Sequence, residues 1–132
     1  CGELCQHDFE NNQCIDCGLK YKAYSDYVAI TGYKGSAKEL VIPAEIEGLP
    51  VTDIAFDAFH GCSTLTSISI PDSITSIGNN AFYGCALLEV FSGIGVKRVD
   101  EQAFRGCTGV RCFATGILNE IGTGAFFDAN IY

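Results

Sequence analysis

Methionine and tryptophan are absent, and only three prolines and two histidines occur among 132 residues. With so little histidine, and with no Gly-x-Ser-x-Gly elbow to set a serine beside a base, the usual nucleophile and acid–base constellations are missing. Asp26, Asp53, Asp57, Asp72, Asp100 and Glu101 follow turn signals, where such side chains bond their own backbone, and no two are spaced as acid and nucleophile. Gly93-Ile94-Gly95 lacks the third glycine and the following helix of a phosphate cradle. Positive charge is also scarce. Eight Lys and Arg stand against 16 Asp and Glu, a net charge of −8, which repels polyanions and excludes nucleic acid as a partner. No apolar run approaches the ~18 residues that a membrane helix needs, and the stretch contains no cleavable signal peptide. These absences predict a chain that is not an enzyme.

What is present is a period. Ala-Phe recurs at 58–59, 81–82, 103–104 and 125–126, every 22 or 23 residues. Ile54, Ile77, Val99 and Ile121 keep step four residues before each alanine, and Gly61-Cys62, Gly84-Cys85 and Gly106-Cys107 follow each of the first three phenylalanines. A unit of this length cannot bury its apolar side alone, so the repeat predicts stacked coils sharing one core. In each coil Ala lets the chain approach a sheet and Phe fills the space between. The shorter step between the second and third pairs falls at Gly93-Ile94-Gly95, where the backbone is most permissive.

Strand alternation from Leu65 to Ile70 turns Leu65, Ile68 and Ile70 inward. The same register places Glu39, Val41, Ser67, Ser69, Val90, Ser92, Cys112 and Ala114 on one exposed parallel ladder, the candidate binding face. The opposite wall, Ile77 to Phe82 and its equivalents, is long enough for a short helical turn. The fold class expected is an α/β repeat solenoid: a short parallel sheet on one face, short helical turns on the other, and an amino-terminal hairpin cap. Residues 1–19 read as a separate cysteine-rich module and residues 20–132 as the repeat domain. Within the latter, residues 20–52 are the cap and first strand, with Tyr27–Thr31 and Glu39–Pro43 expected to pair across the turn Gly32–Ser36. His60 shares its place in the coil with Tyr83, Arg105 and Phe127 and reads as a solvated wall residue.

The runs Ile74-Thr75-Ser76-Ile77-Gly78-Asn79-Asn80-Ala81-Phe82-Tyr83-Gly84-Cys85 and Leu65-Thr66-Ser67-Ile68-Ser69-Ile70-Pro71 resemble the BspA-like leucine-rich repeats of bacterial surface proteins. Ala29–Tyr33, Leu40–Pro43 and Gly48–Thr52 match the lead-in. The resemblance covers residues 27–129. It implies a right-handed solenoid displayed outside the cell and a role in adhesion or recognition of a protein or other extracellular macromolecule. The alternative is a spacer or scaffold segment of a larger surface protein with no ligand of its own. Ala55 and Asp100 depart from the usual glycine, and Asp128-Ala129 from Gly-Cys.

Cys62, Cys85 and Cys107 read as small buried hydrophobes in a column. Near the start, Cys5-Gln6-His7 and Cys14-Ile15-Asp16-Cys17-Gly18 form a CxH…CxxC array. Short intervals let paired ligands converge, so Cys5, His7, Cys14 and Cys17 suit a structural zinc with no open position for water. Two disulfides among Cys1, Cys5, Cys14 and Cys17, favoured by an oxidising compartment, are the second reading, and reduced thiols are the third. The stretch from His7 to Cys14 also resembles short CxH…CxxCG modules of exported repeat proteins. Cys1-Gly2 has the form of a lipid-bearing mature terminus, or marks an internal boundary.

Overall fold

A 22-residue unit has too little apolar surface to fold by itself, and here each unit becomes one coil whose inner side is completed by the next. The computed structural model describes residues 9–10, 13–14 and 18–131. Their strands, in chain order, are β1 Phe9–Glu10, β2 Gln13–Cys14, β3 Leu19–Ala23, β4 Val28–Tyr33, β5 Glu39–Val41, β6 Glu45–Ile46, β7 Leu49–Ile54, β8 Ser67–Ser69, β9 Ser76–Ile77, β10 Val90–Gly93, β11 Arg98–Val99, β12 Cys112–Thr115 and β13 Glu120–Ile121.

Each coil contributes one strand to each of two parallel sheets. In the first, β4, β7, β9, β11 and β13 lie side by side, so that Ile30, Ile54, Ile77, Val99 and Ile121 form one inward row. In the second, β5, β8, β10 and β12 align Leu40, Ile68, Phe91 and Phe113 inward. Between the sheets runs a third side, the wall, built by residues 55–62, 78–85, 100–107 and 122–129. Its Ala-Phe pairs face the core: Ala58, Ala81, Ala103 and Ala125 are buried, as are Phe59, Phe82 and Phe104. The rings of Phe59, Phe82, Phe104 and Phe126 stack nearly parallel, with centroids 5.0, 5.1 and 5.6 Å apart. Phe91 and Phe113 of the second sheet meet this stack edge-on, at 77–90°. Edge-to-face pairs of this kind add about 0.5–1.5 kcal/mol each beyond the area they bury.

The wall contains no helical turns; among the described residues there is no helix. Its backbone alternates instead. The N–H groups of Ala81, Tyr83 and Cys85 close local turns onto Gly78, Asn80 and Phe82, whereas those of Asn80, Phe82 and Gly84 donate to Glu101, Ala103 and Arg105 of the next coil. Every second N–H can point across only because two residues per coil take positive φ. One column is Asp57, Asn80, Gln102 and Gly124, the other Gly61, Gly84, Gly106 and Asp128. Gly, Asn and Asp carry that conformation at least cost, and it interrupts any helix.

The cap also differs from expectation. Residues 27–31 and 39–43 do not pair, because β4 and β5 lie in different sheets and 34–38 is the corner between them. The antiparallel partner of β4 is β3, with Leu19 opposite Tyr33 and Ala23 opposite Val28. The first sheet continues through β3 to β2 and β1, crossing position 19, and Cys14 and Leu19 are buried with the core. A second hairpin, β6–β7, precedes the first Ala-Phe coil and turns at Glu47-Gly48 with φ of 55° and 77°. Two positive φ values in a two-residue loop match the twist of the strands they join. Farther on, Gly95 packs against the Asp72 carbonyl with no room for a Cβ, at the place where the repeat shortens.

Candidate functional site

The second sheet shows the ladder in the expected register. Glu39, Ser67, Val90 and Cys112 form one outward row, and Val41, Ser69, Ser92 and Ala114 the other. Glu39, Val41, Ser69, Val90 and Cys112 are exposed, while Ser67, Ser92 and Ala114 are half-buried. Apart from Glu39 these are small side chains. They offer hydroxyls, methyls, one carboxylate and one thiol but no aromatic or guanidinium anchor of the kind that dominates binding energy.

Such anchors lie on the wall. Two residues after each alanine the side chain points out, giving the column His60, Tyr83, Arg105, Phe127. The His60 and Tyr83 rings stack at 5.0 Å and 19°. The Arg105 guanidinium lies 5.7 Å from the Tyr83 ring centre and 4.9 Å from that of Phe127, a cation held between two rings. Phe56 stands exposed on the same side, and Asn79 Oδ1 accepts the Glu101 N–H there at 3.2 Å. The fixed offset from the Ala-Phe pair already aligns these four positions in the sequence, where His60 reads only as a solvated wall residue; the ring and guanidinium contacts between neighbours are what the structure adds.

The outer surface of the first sheet carries Asp53, Ser76, Arg98 and Glu120 in one row. Arg98 grips Asp100 through two bonds, of 2.6 and 3.0 Å, and lies 3.9 Å from Glu120. The bond to Asp100 raises the guanidinium's already high pKa, but the pair is exposed and contributes little to stability. An open cleft of about 410 Å³ lies between Leu87, Glu89, Thr108, Gly109, Arg111 and Asn130. Asn130 Nδ2 donates to the Thr108 carbonyl at its edge.

The repeated thiols are interior. Cys85 Sγ donates to the Phe59 carbonyl at 3.0 Å and Cys107 Sγ to that of Phe82 at 3.1 Å, each reaching back one coil. Burial pushes the Cys85 thiol far up and that of Cys107 up to about 12, so both are protonated and unreactive at neutral pH. Cys112 is exposed on the edge strand β12. Of the array proposed for zinc, Cys5, His7 and Cys17 lie outside the described residues, as does Cys1. Cys14 is buried in β2, and its carbonyl accepts the Gly18 N–H at 2.9 Å. Among the described residues no three His, Cys, Asp or Glu side chains gather as a metal site would need, and no helix is long and apolar enough to cross a membrane.

Comparison with known proteins agrees with this architecture. The model of the BspA type leucine-rich repeat region matches residues 33–132 in six copies. No curated protein sequence matches significantly. Among solved structures, a leucine-rich repeat protein of T. pallidum is similar at 31% identity and a TM-score of 0.73, over 83% of this chain and 64% of its own. A leucine rich cell surface protein of Faecalibacterium prausnitzii is similar at 28% identity and TM-score 0.74, over 92% and 34%. A leucine-rich repeat protein of Bacteroides ovatus follows at 27% and 0.77, over 93% and 33%. The chain thus spans between a third and just under two thirds of these proteins. With stacked coils, an inward Ala-Phe column and six repeat copies, the chain belongs to the BspA type leucine-rich repeat family.

Proposed function

We propose that this chain is a non-catalytic recognition module of an exported bacterial surface protein and that it binds a protein partner through the wall column. The observation that carries this reading is the concentration of Tyr83, Arg105, Phe127 and Phe56 on one outward side, against the small side chains of the sheet ladder. Tyr, Trp and Arg supply most interface hot spots, and rings already stacked lose little freedom on binding. The surface location draws support from the likeness to the F. prausnitzii protein, which is described as a cell surface protein.

The test is a binding screen of the immobilised chain against extracellular-matrix and host-surface proteins, repeated with Tyr83→Ala/Arg105→Ala and with Ser69→Lys/Ser92→Lys. The wall variant is expected to weaken capture by roughly a hundredfold, the loss of two hot spots of ~1.4 kcal/mol each. The ladder variant should bind as the parent does, and the reverse pattern would move the site to the sheet. Failure of every partner in the screen would favour the spacer reading, which the plain sheet face supports. For Cys5, His7, Cys14 and Cys17 we keep the structural zinc clip as part of the proposal: the spacing of the array supports it, and the Gly18 N–H donates to the Cys14 carbonyl, which brings the two ends of the CxxCG segment together. Metal analysis with thiol counting on native protein distinguishes zinc from disulfides and from reduced thiols.

A further inference from the structure

The chain's three arginines are held in three different ways. Arg98, on the first sheet, is saturated: it donates twice to Asp100 and lies 3.9 Å from Glu120. Arg111 is exposed, and water serves its donors. Arg105, on the wall, is half-buried and has rings for neighbours, Tyr83 at 5.7 Å and Phe127 at 4.9 Å. It pairs with no carboxylate and donates to no acceptor among the described residues. Rings attract a guanidinium through its charge but leave its five N–H donors unanswered. A half-buried arginine fixed in this way has given up part of its water and keeps a rigid fork of donors, the form that takes a carboxylate through two parallel bonds.

The surroundings narrow the ligand. Asp57, Glu101 and Asp128 stand exposed on the same wall, in a chain of net charge −8. They repel an acidic tract or a dianionic phosphate and tolerate basic neighbours, which leaves room for one carboxylate. Apolar contact is offered by Tyr83 and by Phe127, which is 55% exposed. An open notch of about 160 Å³ lies between Asn79, Asn80, Glu101 and Gln102, in the same two coils as Tyr83 and Arg105. Amide side chains both donate and accept, as a peptide backbone does. We propose that the wall reads a peptide segment of its protein partner that carries one Asp or Glu between apolar residues, with the carboxylate taken by Arg105 and the flanking side chains by Tyr83 and Phe127. This rests on the wall being the binding surface and adds the class of ligand that it selects.

The probe is a phage-displayed library of random heptapeptides, selected on the immobilised intact chain. Enriched peptides should carry a single Asp or Glu beside aliphatic or aromatic residues and, once synthesised, bind with Kd on the order of 10–100 µM. Changing that acid to its amide should weaken binding at least about tenfold, a readout that leaves the protein untouched. Arg105→Gln should cost as much, and Arg105→Lys, which keeps the charge but loses the fork, should stay closer to Arg105→Gln than to the parent. Enriched peptides without a carboxylate, equal binding by the amide peptide, or a selection that yields no saturable binder below ~1 mM would overturn the proposal. If Tyr83→Ala weakens binding while Arg105→Gln does not, the wall remains the binding surface and only the carboxylate reading falls. If neither substitution matters, both readings fall.

Discussion

The first and last described coils differ in how their inward rows are covered. At the amino end, Ile30 opens the inward row and is completely buried, because β4 is covered by a strand running in the opposite direction, β3, and then by β2. In the last described coil, Ile121 has its side chain largely in water, and β13 has no partner on its outer edge among the described residues. Parallel coils are all alike, so each one offers a seat to the coil that follows it. Reversing the chain direction removes that seat, because the antiparallel hairpin satisfies the edge and presents a different pattern beyond it.

The same charge placed at a covered and at an uncovered position of the inward row should have very different effects. Ile77→Glu puts an unpaired carboxylate into a fully buried site and should cost more than ~4 kcal/mol, enough to unfold the stack. Ile121→Glu should stay within ~0.5 kcal/mol of the parent. Denaturant midpoints measure both, and similar losses would mean that the last coil is sealed in solution.

Interior coils also differ from the last described one in that Ala129 stands where they carry a thiol. An unfolded thiol ionises near pH 9, while Cys107 holds its proton to about 12 and Cys85 holds its own too. Above pH 9 the unfolded state therefore binds fewer protons than the native one, so stability is whole below that pH and declines as pH rises toward 12. The slope is ~1.4 kcal/mol per pH unit for each buried thiol. Thermal melts from pH 7 to 11 should show this limb, and Cys85→Ala/Cys107→Ala should flatten it.

The smallest effect concerns the hairpin that leads into the first Ala-Phe coil. A Cβ at Gly48 would touch nothing within 4 Å, so Gly48→Ala isolates the cost of a positive φ, about 1 kcal/mol. A neutral result by chemical denaturation would mean that the turn relaxes without loss.

Much of the stack was legible because side chains at fixed offsets must share a column. The Ala-Phe pairs predicted the ring stack, and alternation around Ile68 placed the rows beginning at Glu39 and Val41 in correct register. Whether those rows bind anything is a separate matter that register does not decide. Two features escaped. The run from Ile77 to Phe82 was expected to form a helical turn because its length allows one, yet the residue before each alanine is Asp, Asn, Gln or Gly, and three of those four types tolerate the left-handed backbone. The cap was misassigned because 27–31 and 39–43 both look like strands around a turn. Local pattern cannot tell a hairpin from a corner that passes a strand to another sheet, since tertiary pairing decides it.

The alternating N–H groups of the wall have a mechanical consequence. Backbone hydrogen bonds join successive coils along both sheets and along the wall, and the core rings repeat at 5.0–5.6 Å between them. A coil therefore cannot swing away on one side without breaking a ladder on another, so force applied along one flank is shared by all three.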